Sequence, residues 1–175
     1  MKMMLHKISL AAAFTLLTVP MFAKTSTPRP LPDEVRHQLV MLPYYSVFDD
    51  LGYNVNGSVV TLYGSVRQPW LKSDAEHAVK HIAGVTQVID NIKVLPLSPM
   101  DDRIRRAEYN AIFRFSSMYR YAMGANPSIH IIVDNGHVTL TGVVANQGDK
   151  NIAYVRANGV PGVFSVTNDL RVANE

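Results

Sequence analysis

Shifted by 78 residues, the chain matches itself. Val60-Thr61-Leu62-Tyr63-Gly64-Ser65-Val66 falls on Val138-Thr139-Leu140-Thr141-Gly142-Val143-Val144. Gly84-Val85-x-x-Val88 falls on Gly162-Val163-x-x-Val166, and Ile92-Lys93-Val94 on Leu170-Arg171-Val172. No gap separates these blocks, and Lys72/Lys150 and Ala75/Ala153 agree as well, so 12 of the 43 positions from 52 to 94 are identical. Whatever one copy folds into, the other must fold into too. Each copy has only about 65 residues in which to bury a core, near the lower limit for independent stability. The two are therefore expected to pack together.

Each copy reads helix, strand, strand, helix, strand. In the first, Pro32 and the acids Asp33 and Glu34 suit a helix start; Val35, Leu39 and Leu42 recur at helical spacing, and Pro43 stops the run. Tyr53 and Val55 lead into Asn56-Gly57, a hairpin signal, and Val60, Leu62, Gly64 and Val66 alternate on the returning strand. Leu71, Ala75, Val79 and Ile82 form the inner stripe of a second helix. Gly84 follows where a helix end favours a left-handed residue, and Val88, Asp90, Ile92 and Val94 alternate in a last strand. The second copy repeats this with a hairpin at Asn135-Gly136, a helix weakened by Gly148, Asn158, Gly159 and Pro161, and Gly162 in the place of Gly84. Its turn glycine is one position off the alignment, so the hairpin loops are expected to differ. Gly64 and Gly142, inside strands rich in β-formers, mark a bulge or a close backbone approach. A strand following a helix returns parallel through a right-handed crossover. The fold class is thus α+β: two tandem αββαβ units, each a three-stranded mixed sheet with two helices on one face.

The first 23 residues have a three-part plan: Lys2 and Lys7, an apolar run over residues 8–19, and Ala23 ahead of Lys24. This is the layout of a secretory signal peptide, and the run is short of the ~20 residues a spanning helix needs. Met21, two before Ala23, is larger than the preferred small residue, which leaves the cleavage position open; an uncleaved anchor is the alternative. Three prolines in residues 24–32 read as an extended tether. The expected division is 1–23 signal peptide, 24–32 tether, 33–95 first unit, 96–100 linker and 101–173 second unit. The expected compartment is the periplasm. Lys+Arg is 17 against Asp+Glu 14; without Lys2 and Lys7 the balance is 15 to 14, so a general nucleic-acid binder is not expected. With no cysteine, thiol catalysis, disulfides, cysteine zinc sites and a lipidated N-terminal cysteine are all excluded. No nucleophile elbow, P-loop or dinucleotide fingerprint occurs, so neither catalysis nor a cofactor is expected.

The pattern V-x-N-G-x-V-x-L-x-G-x-V, a helix, then G-V-x-x-V-x-N-x-[IL]-x-V resembles the BON domain. It is carried by Asn135-Gly136, Val138, Leu140, Gly142 and Val144, then Gly162-Val163, Val166, Asn168, Leu170 and Val172. The first copy departs where Asp90-Asn91 reverses Asn168-Asp169. Two copies behind a leader are similar to the dual-BON periplasmic proteins, and the resemblance covers about residues 33–172. It implies binding of phospholipid, especially anionic lipid, a role in envelope integrity or stress, and no catalysis.

Residues 101–123 are expected to form one helix, with Asp101-Asp102 at its start and Gly124 at its end. At 100° per residue, Ile104, Ala107, Ala111, Phe115, Met118 and Ala122 share one stripe, read as the core face. Arg106, Tyr109, Phe113 and Arg120 fall opposite, flanked by Arg103, Arg114 and Tyr121. Rings between arginines suit a lipid interface, and lipid-binding relatives use this helix; these four residues are the candidate site for lipid or for a protein partner. The alternative reading is that the same face packs against protein, as a partner-binding or chaperone-like module or through self-association. His77 and His81, with Asp74 before them, have metal-ligand spacing, but a closed zinc site needs four ligands, and the second copy has Val155 and Gly159 there. A solvated helix face is the expectation, with no metal.

Overall fold

The computed structural model describes residues 29–124 and 126–173; the expected leader and most of the tether lie outside them. Unit 1 contains α1 (Leu31–Val40), β1 (Asp50–Asn56), β2 (Val59–Val66), α2 (Pro69–Lys80) and β3 (Gln87–Val94). Unit 2 contains α3 (Pro99–Phe113), a 3-10 turn (Tyr119–Ala122), β4 (Ile129–Asp134), β5 (His137–Val144), α4 (Gln147–Asn158), β6 (Ser165–Asn168) and β7 (Arg171–Val172). No helix among the described residues is long and apolar enough to cross a membrane.

The two sheets share one plan. β1 pairs antiparallel with β2, which pairs parallel with β3; β4, β5 and β6 do the same. The third strand of unit 2 is broken, and its second piece, β7, also lies beside β5. Registers agree across the 78-residue shift: Leu51 faces Gly64 and Ile129 faces Gly142, while Val60 faces Val88 and Val138 faces Val166. Beyond the strands, the Leu95 amide donates to the Val66 carbonyl as that of Ala173 does to Val144 (2.8 and 2.9 Å). The reversal of Asp90-Asn91 against Asn168-Asp169 leaves a shared contact intact, because Asp90 Oδ1 accepts from the Ile92 amide (2.9 Å) and Asn168 Oδ1 from that of Leu170 (3.4 Å).

Alternation on the strands fixes which residues meet the helices. Val60, Leu62, Val66 and Ile92 are buried against Leu71, Ala75 and Val79 of α2 and Val35 and Leu39 of α1. Val138, Leu140, Val144 and Leu170 are buried with Ala153 and Ala157 of α4 and Ile104 and Ile112 of α3. The expected stripes of α1 and α2 are thus observed at these residues, while Leu42 and Ile82 lie past the helix ends and are only partly buried. α4 is as long as α2 despite Gly148, starting at Asn146, whose side chain accepts from the Asp149 amide (2.9 Å). Gly64 and Gly142 both have φ +114°, and a Cβ there would lie 2.2 and 2.1 Å from the carbonyl oxygens of Asp50 and Ser128. Only glycine lets the neighbouring strand come this close.

Three expectations are corrected. The first hairpin turns at Gly57-Ser58 rather than at Asn56-Gly57, because Asn56 stays in β1; its loop has the same length as Asn135-Gly136 in unit 2, and the expected difference between the loops lies in their conformation. Only Gly57 has positive φ in the first, whereas both residues do in the second, the type I′ requirement. Gly84 and Gly162 are left-handed (φ +94° and +90°), but they close the turn after the helix, three residues past the caps His81 and Gly159. Last, the single helix expected over 101–123 ends at Phe113. Phe113 and Met118 are both buried; on one continuous helix they would lie about 140° apart, so the chain must turn between them.

The units are joined through the α1–β1 connection. Val47 is buried in the core of unit 2, and its carbonyl accepts from the Ile131 amide (2.8 Å). Tyr45 stacks on His130 with centroids 5.5 Å apart, and Lys93 of β3 pairs with Asp134 of β4. The copies therefore pack together, as their size requires.

Candidate functional site

α3 faces outward along a line that the core leaves free. Arg103, Arg106, Tyr109, Asn110 and Arg114 are exposed on it, and Tyr109 is 37% exposed. Phe48, carried across from unit 1, brings its ring 6.3 Å from that of Tyr109, and the Arg67 guanidinium lies 5.4 Å above the Phe48 ring. Tyr109, Phe113, Arg114, Ser116, Tyr119 and Ala122 line a groove of about 720 Å³. A smaller hollow of about 310 Å³ adjoins it, lined by Phe48, Arg106, Tyr109 and Asn110.

Charge is one-sided here. Residues 103–124 contain five arginines and one acid, Glu108. Glu108 is buried, Arg105 is turned inward to Asp102 (2.8 Å), and Arg120 pairs with Asp149. Arg103, Arg106 and Arg114 have no ion-pair partner among the described residues.

Of the four expected contact residues, Arg106 and Tyr109 are on this face. Phe113 is not available for insertion: it is buried in the core of unit 2, lining the groove beside Tyr109 with ring centroids 5.0 Å apart. Arg120 is not on α3; it sits on the 3-10 turn, donating to Asp149 and to the Tyr121 hydroxyl (3.0 Å). The expected core stripe was also displaced. Phe115 is exposed, while Asp101, Arg105 and Glu108 are buried with Ile104 and Ile112. Hydropathy alone turned the helix the wrong way because three of its inward residues are ionisable. Arg114 was a flanking residue and becomes central. Phe48 and Tyr119 were missed: Phe48 comes from the other unit, and Tyr119 is exposed because the helix has already ended.

The buried ionisable groups brace this face from behind. Asp101 Oδ1 and Oδ2 accept from the amides of Gly136 and Asn135 (both 2.9 Å), clamping the start of α3 to the β4–β5 hairpin. Arg105 donates to the Val133 carbonyl (2.6 Å). Asp149 accepts from the Tyr121 hydroxyl (2.5 Å), Asn146 (2.9 Å) and Arg120. Burial alone would raise its carboxyl, but the bonds from Tyr121 and Arg120 outweigh this and hold it below the usual carboxylate range. Glu108 is the exception: neither oxygen has a partner among the described residues, and burial pushes its carboxyl up to about 8.

Among the described residues, no three His, Asp or Glu side chains converge as a metal site. The turn glycines Gly57, Gly64, Gly84, Gly136, Gly142 and Gly162 all have positive φ and belong to the scaffold.

The BON domain family model matches residues 47–96 and 119–174, and the chain belongs to that family. The matches take in the strands and the second helix of each unit; α1 and α3 fall outside them. BON domains are generally non-catalytic modules of periplasmic or membrane-associated proteins. No curated protein matches the chain. Among solved structures, it is similar to the C-terminal domain of CdsD, a structural protein of the type III secretion system of Chlamydia trachomatis. That likeness has a TM-score of 0.33 and 14% identity, covering 84% of this chain and 99% of that one. A second structure of CdsD gives 0.31 and 15%, covering 82% and 93%. Neither likeness is strong enough to bear on function.

Proposed function

We propose that this is a non-enzymatic, periplasmic dual-BON protein that binds anionic phospholipid or an anionic envelope surface weakly, with a role in envelope integrity or stress. Its units would span 33–95 and 101–173, joined by 96–100 and exported by the leader over 1–23. The observation that supports this reading is the outer face of α3: three arginines without ion-pair partners among the described residues around a half-exposed tyrosine, beside an apolar-floored groove. Each arginine contributes ~1 kcal/mol near an anionic surface. Partial insertion of Tyr109 and Tyr119 adds about 1–2 kcal/mol. The sum, roughly 4–5 kcal/mol, corresponds to dissociation constants of about 10⁻³ to 10⁻⁴ M. Firm residence at a membrane therefore needs several copies or a second contact.

The protein should co-sediment at low salt with vesicles containing phosphatidylglycerol and stay in solution with phosphatidylcholine alone. Exchange of Arg106 and Arg114 for glutamate should abolish the sedimentation without changing the circular dichroism. No sedimentation with phosphatidylglycerol at low salt would end the lipid reading. Protein recognition is then the remaining use of this face; it would appear as self-association or partner capture that is independent of lipid and lost on Tyr109→Asp.

A further inference from the structure

We propose that His77 and His81 of unit 1 chelate a late first-row divalent ion, copper(II) in preference to zinc(II), in the groove between α1 and α2. His77 lies in the last turn of α2 and His81 caps it, so the two side chains, four residues apart, stand on one face. Their ring centroids are 4.2 Å apart, and both residues are exposed. The Nδ1 of His81 is 2.7 Å from the carbonyl oxygen of His77. A carbonyl can only accept, so Nδ1 carries the proton and the lone pair of His81 is on Nε2. Metal-binding histidines are held in this way, with one ring nitrogen tied to a backbone carbonyl and the other turned toward the ion.

Both rings open on a groove of about 590 Å³ whose opposite wall includes Glu34 and Gln38 of α1. The Glu34 carboxylate accepts from Gln38 (2.8 Å) and lies 3.5 Å from the Arg29 guanidinium. Arg29 lines the same groove, so the carboxylate that shares it with the imidazoles is already paired. Two nitrogen donors do not close a zinc site, which takes four protein ligands when structural. They make an open chelate completed by water, and imidazole donors bind copper(II) more strongly than zinc(II). The site belongs to unit 1 alone, because Val155 and Gly159 occupy the matching positions in unit 2. It is independent of the α3 face.

Calorimetric titration of the protein with copper(II) at pH 7.5 should show one site that is tighter than the site for zinc(II). Either His77→Asn or His81→Asn should weaken it at least tenfold, whereas His137→Asn, on the other unit, should leave it unchanged. Electron paramagnetic resonance of the one-to-one copper complex should show two equatorial nitrogens, reduced to one in either single variant. Uptake that is absent, or that is the same in the double variant as in the wild type, would overturn the proposal. Circular dichroism distinguishes that outcome from loss of fold.

Discussion

Unit 1 and unit 2 share registers, turns and strand glycines, yet their interiors differ. Among the described residues, unit 1 buries a single charged side chain, Asp49, which accepts from the Arg67 amide (2.8 Å) and the Ser46 hydroxyl (2.5 Å). In unit 2, Asp101, Arg105, Glu108 and Asp149 are all buried. The clearest exchange is at a matched position: Leu71 is buried in α2, and 78 residues on, Asp149 is buried in α4. The carboxylate is accommodated because unit 2 supplies Tyr121, Arg120 and Asn146 around it. A second divergence is at the hairpin, where Asp101 grips the amides of Asn135 and Gly136. Duplication thus preserved the pattern of backbone contacts and left the interior free to change. Unit 2 carries the longer, arginine-rich helix, and the buried bonds of Asp101 and Arg105 hold that helix to the sheet.

Exchanges at matched positions test this directly. Leu71→Asp puts the residue of unit 2 into unit 1 without its partners, and the unpaired buried charge should cost on the order of 4 kcal/mol or unfold the unit. Urea unfolding would show it; a loss below about 1 kcal/mol would mean that unit 1 can also solvate a carboxylate there. Gly64→Ala and Gly142→Ala should each cost about 3 kcal/mol, and by similar amounts, since each new methyl meets a carbonyl just over 2 Å away. Markedly unequal losses would break the equivalence of the two strands. Asp149→Ala should cost about 2 kcal/mol, by stranding the Tyr121 hydroxyl and the Asn146 amide.

Glu108 and Asp149 give unit 2 opposing pH dependences. The folded-state carboxyl of Glu108 titrates near 8, above its ordinary value of 4.5. Its contribution is fully present below about pH 4.5 and is lost as pH rises toward 8, a fall on the order of 4 kcal/mol. Glu108→Gln should flatten that decline in thermal melts taken from pH 5 to 8.5, and an unchanged slope would show that water reaches the group. Asp149 has the opposite sign: its depressed carboxyl stabilises above the usual carboxylate range, and this is lost as pH falls through its folded value. The smallest effect is expected on the outer face, where Arg106→Ala should change stability by less than about 0.5 kcal/mol while weakening vesicle binding.

Most of the scaffold was legible in the sequence. Alternation at Val60, Leu62 and Val66, and again at Val138, Leu140 and Val144, gave strands, faces and repeat together, because strand periodicity and burial obey the same rule. Glycines with positive φ were legible for a similar reason: few other residues suit those positions. The candidate site was only half legible. Arg106 and Tyr109 are where the helical wheel put them, but Phe113 and Arg120 depended on a helix that ends early. The wheel also assumed that charged residues face water, and Arg105 and Glu108 do not. Phe48 enters through the packing of one unit on the other, which no local pattern in unit 2 encodes.

The central claim, one fold written twice in a single register, is tested most directly by cross-strand nuclear Overhauser contacts. The account predicts Leu51 opposite Gly64 with Ile129 opposite Gly142, and Val60 beside Val88 with Val138 beside Val166. A register that differed between the units, or a third strand running antiparallel in either, would contradict it.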